Sequence, residues 1–128
     1  MSRSKRFLKF WVPLLVYMAL MWFLSSRPAR SLPLMLFPFA DKVFHFLEYF
    51  VFGFLLARVI QTAQPKTRPK LFIFVIVSAL IWGAIDELHQ ASVPLRDPSV
   101  FDLLTDCFGA GIGQLLIKRG QSSKIEKA

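Results

Sequence analysis

The stretch Leu71–Glu87, LFIFVIVSALIWGAIDE, sets fifteen uncharged residues directly against two carboxylates. A membrane-crossing helix needs about 20 residues, with about 17 as the lower limit, and this run reaches that length once its polar end is counted. Three further blocks share the character. Phe10–Ser25, FWVPLLVYMALMWFLS, is free of charge, and Val43–Ala57 lies between Lys42 and Arg58, broken only by His45 and Glu48. Val100–Ile117 holds Asp102 and Asp106 near its start and stops at Lys118-Arg119. One such block could be a buried helix of a soluble protein, but four in 128 residues would leave almost no polar surface. The reading is therefore all-α: a single domain over residues 1–128, a bundle of four transmembrane helices near residues 8–25, 42–62, 70–90 and 99–118.

Composition agrees. Hydrophobic residues make up 55% of the chain and charged ones 19%, with a mean hydropathy of +0.50, against about 25% charged in ordinary soluble domains. Fourteen Phe argue against disorder. A single Cys excludes a disulfide framework and a cysteine-built zinc site. The basic start and first apolar block also describe a signal peptide, but the following SSRPARS offers no small-residue cleavage site, so the segment reads as a retained anchor. Pro13 is expected in the first turn of that helix, where its missing N–H costs least. The segment from Ser26 to Ala40, with LPLMLFPF at its heart, is an apolar, Pro-rich loop expected to lie in the outer interface. The terminal QSSKIEKA reads as a frayed tail.

Charge placement orients the bundle. With the N-terminus in the cytoplasm, that side receives Arg3, Lys5, Arg6, Lys9, Arg58, Lys66, Arg68, Lys70, Lys118, Arg119, Lys124 and Lys127, twelve of the sixteen Lys and Arg. The positive-inside rule then puts both termini in the cytoplasm. The formal charge of +8 is thereby spread over three segments facing anionic lipid. No folded basic face is left to track a phosphate backbone, which excludes a nucleic-acid partner.

The acids show the opposite bias. Asp41, Glu48, Asp86, Glu87, Asp97, Asp102 and Asp106, seven of the eight, fall at or near the outer side. An Asp at a helix centre costs about 2.5–3.5 kcal/mol on insertion scales, so such residues face the bundle interior and mark function. Asp41, His45, Glu48 and Tyr49 share one helical stripe; Asp86 and Gln90 share another, with Glu87 on its flank; Asp102, Asp106, Gly109 and Gly113 form a third. Three stripes at matching depth are best satisfied by facing one another around a wet, outward-opening pocket. The Gly109-x-x-x-Gly113 motif permits close helix approach within the bundle or, alternatively, a homodimer.

The order Asp41-Lys42-x-x-His45, Tyr49, Asp86-Glu87-x-x-Gln90, Pro94-x-Arg96-x-x-Ser99-x-x-Asp102 and Gly109-Ala110-x-x-Gly113 resembles the VanZ-like membrane proteins, a family named for a teicoplanin-resistance protein of Gram-positive bacteria. The resemblance covers about Asp41 to Gly113 and implies a small multi-pass protein of the bacterial cytoplasmic membrane. It implies no established reaction, and drug resistance is the namesake's property. Family members usually carry Gly before the loop arginine, where this chain has Leu95, so the turn at that point departs from the family pattern.

Two functional readings stand beside a structural one. The first is a pocket that binds, or helps move, a lipid-linked cell-envelope precursor headgroup or a glycopeptide. Its residues would be Asp41, Lys42, His45, Glu48, Tyr49, Asp86, Glu87, Gln90, Arg96, Ser99, Asp102 and Asp106. The alternative is an enzyme on a phosphate-bearing or peptidoglycan-precursor lipid, with His45, Asp86, Glu87 and Asp106 catalytic and Arg96 and Lys42 on a phosphate. No cofactor is expected, although the carboxylates could hold a divalent cation. Neither G-x-S-x-G nor H-E-x-x-H occurs. The third reading is a structural membrane protein with no ligand. Under it His45–Asp41 is interfacial support, Glu48 pairs with Lys42, Tyr49 belongs to an aromatic belt, and Asp102 is a helix-start charge with Ser99 as cap. His89 falls off the polar stripe and reads as interfacial, Asp97 as a turn former, Cys107 as packing, and Trp11, Trp22 and Trp82 as belt or core.

Overall fold

A computed structural model describes residues 1–28 and 37–117. Residues 29–36 of the interfacial loop expected over Ser26–Ala40, the frayed tail and the basic residues after Ile117 lie outside the described residues. Four helices follow one another: α1 over Arg3–Ser25, α2 over Ala40–Ala63, α3 over Arg68–Gln90, and α4 over Val100–Gly113 with a closing 3₁₀ turn at Gln114–Leu116. No strand occurs among the described residues. The first three are long and apolar enough to cross a membrane. At about 1.5 Å per residue, α4 is about 21 Å long, short of a bilayer core of about 30 Å.

The bundle is inside out relative to a soluble protein. Leu8, Val16, Ile73, Ile81, Leu88, Phe101, Leu104 and Phe108 are exposed, whereas Ser25, His45, Asp86, Gln90, Asp102, Asp106 and Gln114 are buried. That distribution suits hydrocarbon outside and satisfied polar groups within. Successive helices run antiparallel, so α1 is parallel to α3 and α2 to α4. Arg3 and Arg6 border one hollow with Ala63 at the end of α2, and Arg58 lies over the Phe10 ring at 5.0 Å. At the opposite end, α1 reaches the end of α3, where the Ser26 hydroxyl is 2.7 Å from His89 Nε2.

Pro13 falls in the first turn of the α-helical stretch Val12–Ser25, although helical backbone already begins ten residues earlier at Arg3, with the Ser2 hydroxyl accepting from the Lys5 N–H. Within α1 as a whole the proline is interior, and the helix absorbs it through a π-helical turn at Phe7–Trp11, where the Val12 N–H reaches back to the Phe7 carbonyl. Widening the turn ahead of proline makes room for its ring and removes the need for its N–H.

Glycine sets the tightest packing. A Cβ at Gly109 or Gly113 would overlap the Phe46 or Phe50 carbonyl of α2, and one at Gly53 would overlap the Ala110 carbonyl of α4. The small-residue face of α4 is thus consumed inside the chain, and a homodimer through Gly109 and Gly113 would have to displace α2. Leu95 takes the left-handed φ of 65°. The turn before Arg96 therefore keeps a glycine-like backbone with a leucine in it.

Candidate functional site

The three polar stripes meet at the end of the bundle that carries the acids. His45 Nδ1 lies 2.7 Å from Asp106 Oδ1, with His45 Nε2 3.9 Å from Asp102 Oδ2. Lys42 donates to Asp102 across the α2–α4 seam and to Asp41 at 2.8 Å. Glu87 Oε2 accepts the Ser99 N–H at 2.9 Å, and the Ser99 hydroxyl in turn caps α4 by accepting from Phe101. Gln90 donates to Asp86 at 3.3 Å. Tyr49 is wholly buried, its hydroxyl near Asp106 beside Gly83.

Among the described residues the α4 carboxylates are shut off from solvent: Asp102 and Asp106 are 3% and 0% exposed, because the glycine face brings α4 onto the backbone of α2. The open space lies to one side. A cleft of about 360 Å³ runs between α1 and α2, walled by Tyr17, Leu20, Leu24, Phe44, Leu47 and Val51. Ser25, His45, Glu48, Gln90 and Arg96 give it polar groups. Of the expected ligand-binding residues, then, His45, Glu48, Gln90 and Arg96 line the cleft. Lys42, Tyr49, Asp86, Asp102 and Asp106 stand behind it, Glu87 and Ser99 border a second hollow between α3 and α4, and Asp41 sits at the rim paired with Lys42.

Arg96 is held by backbone. Its Nε donates to the Arg27 carbonyl and its Nη2 to the Leu24 carbonyl, each at 2.8 Å, so the loop arginine closes off the last turn of α1. Burial pulls this guanidinium below its ordinary value, while Asp86 and Glu48 oppose that shift. Lys42 pairs with Asp41 and Asp102 rather than with Glu48, whose backbone carbonyl instead accepts the Tyr17 hydroxyl at 2.6 Å. His89 stands apart from the cluster, stacked 4.0 Å from Trp22.

The sequence reading missed the contribution of α1. Tyr17, Leu20, Leu24 and Ser25 form one wall of the cleft. The one available signal was Ser25 and Tyr17 recurring eight residues apart on one helical face.

A helical chain with three membrane-length helices, apolar residues outward and carboxylates inward fits a membrane protein. More narrowly, the VanZ/LLP1 family model matches residues 10–121, nearly the whole chain, and the protein belongs to that family. No match to a curated protein or to a solved structure was found.

Proposed function

We propose that the protein binds an amphipathic lipid in the α1–α2 cleft, with a phosphate-bearing headgroup at His45, Gln90 and Arg96 and an acyl or isoprenyl chain along Leu20, Leu47 and Val51. The observation that carries this is the cleft's division of labour. Its polar residues gather toward the acid-rich end, while Leu20, Leu47 and Val51 are exposed on the apolar flank of the bundle. A lipid can therefore enter sideways with its tail still in hydrocarbon. Arg96 uses two of its five donors on backbone, leaving others for a phosphate in a planar, pre-oriented fork.

In this reading α1–α3 span a bacterial cytoplasmic membrane and the shorter α4 crosses where the bilayer thins locally, with both termini inside and the cleft facing the outer leaflet. Basic side chains at the Arg3/Arg58 end support that orientation. The headgroup would belong to a cell-envelope lipid or lipid-linked precursor. A glycopeptide suits the cleft less well, since a volume of about 360 Å³ is at the small end of ordinary ligand sites. Binding is favoured over catalysis because, of His45, Asp86, Glu87 and Asp106, His45 alone lines the cleft.

The test is lipid retention. Protein extracted in mild detergent should carry a phosphorus-containing lipid detectable by native mass spectrometry. Leu47→Trp, which fills the cleft, should remove it, whereas Ile112→Trp on the α4 surface should not. Equal retention in both variants would overturn the assignment.

A further inference from the structure

We infer that His45, Glu87 and Asp106 hold a divalent cation, zinc or manganese, at the junction of α2, α3 and α4. One ligand atom from each lies within 4.8 Å of the others. Adjacent ligands around an ion with bonds of about 2.1 Å stand about 3.0–3.4 Å apart. Small side-chain rotations therefore close the set without moving a helix. The His45 Nδ1–Asp106 Oδ1 separation of 2.7 Å is already near that spacing.

Unsatisfied atoms point to the same place. Asp106 Oδ2, Glu87 Oε1 and the Tyr49 hydroxyl are buried with no hydrogen-bond partner. Tyr49 and Asp106 are each 0% exposed. Asp106 Oδ2 and the Tyr49 hydroxyl both come close to Gly83, 3.1 and 3.6 Å from where a Cβ on it would sit, with the Leu103 side chain packed beside them. Buried polar atoms are almost always paired, and a carboxylate oxygen in hydrocarbon is costly unless a charge or donor meets it. Local charge agrees in sign. Asp41, Glu48, Asp86, Glu87, Asp102 and Asp106 set six carboxyl groups against the two cations Lys42 and Arg96, and a ligating His45 is neutral, so a dication offsets an acidic excess. One imidazole nitrogen with two carboxylate oxygens is a donor set that suits zinc and manganese better than magnesium or calcium. Entry is available, because Glu87 also borders the hollow between α3 and α4.

The site shares His45 with the lipid cleft, but neither Glu87 nor Asp106 lines that cleft, so substitutions at those two separate the readings. Full-length protein purified in detergent with added zinc or manganese, then desalted, should contain about one ion per chain by elemental mass spectrometry. Glu87→Gln and Asp106→Asn should each reduce that at least about tenfold, whereas Cys107→Ala should leave it unchanged. Circular dichroism melts should show the ion raising the unfolding midpoint of wild type and not of Glu87→Gln, a readout that stands even where Asp106→Asn does not fold. A folded wild-type protein that takes up less than about a tenth of an ion per chain, or a folded Glu87→Gln protein that keeps its ion, would overturn the site and establish a His45–Asp106 hydrogen-bonded pair in its place.

Discussion

Replacing Lys42 by Met isolates the ion pair that ties α2 to α4. Asp102 has a side chain 5% exposed, and its other close polar neighbour is the His45 ring, 3.9 Å away. Removing one partner of a fully buried pair costs about 3–5 kcal/mol. Because the Lys42 side chain is 29% exposed, water screens part of the interaction, and about 2 kcal/mol is the expected loss. Asp102→Asn should cost less, about 1 kcal/mol, because Lys42 keeps Asp41 at 2.8 Å. The double variant has no stranded charge in the seam and should lose only about 1 kcal/mol, a coupling of about 2 kcal/mol or a roughly 30-fold change in the folding equilibrium. Reversible unfolding in mixed micelles with increasing sodium dodecyl sulfate, followed by the fluorescence of Trp11, Trp22 and Trp82, measures all four proteins. Single-variant losses that simply add would refute the ion pair as a seam contact.

Leu95→Gly should stabilise the fold by about 0.5–1 kcal/mol in the same assay, since the left-handed φ of 65° strains leucine and a side chain 55% exposed has little packing to lose. The glycines of α4 should divide sharply. Gly113→Ala should cost about 3 kcal/mol or abolish folded yield, because its Cβ meets the Phe50 backbone, while Gly111→Ala should stay within about 1 kcal/mol of wild type because its Cβ meets the side-chain tip of Ile76 at 3.2 Å. Arg96→Lys should keep the charge and lose the two carbonyl bonds at the end of α1. Limited proteolysis there should then speed up about tenfold, and an unchanged rate would mean the fork is not a clamp.

The fold was legible because hydrocarbon imposes long apolar runs. Leu71–Ile85 reads as a helix in any context, and carboxylates such as Asp86 at its margin and Asp106 within the fourth apolar block can only turn inward. Helical spacing likewise predicted that His45, Asp102 and Asp106 share a neighbourhood. Three things were hidden. Periodicity says which residues share a face but not how closely two helices approach, so the closing of the space between α2 and α4 by Gly109 and Gly113 could not be read. Beyond its basic start α1 is almost wholly apolar, and Tyr17 and Ser25 are too sparse a signal to announce that Leu20 and Leu24 wall a cleft. Arg96 and Lys42 looked like free cations because their partners, the Leu24 carbonyl and Asp102, lie 72 and 60 residues away in the chain.

A phospholipid carrying a diazirine on its headgroup, photolysed with the protein in bilayer nanodiscs, tests the lipid cleft most directly. Headgroup capture beside His45 puts the label on the segment Phe44–Glu48 and on Arg96, and Leu47→Trp removes it. Label distributed evenly over exposed residues at both ends of the bundle, and indifferent to Leu47→Trp, would mean that lipid merely surrounds the protein and that the cleft holds nothing.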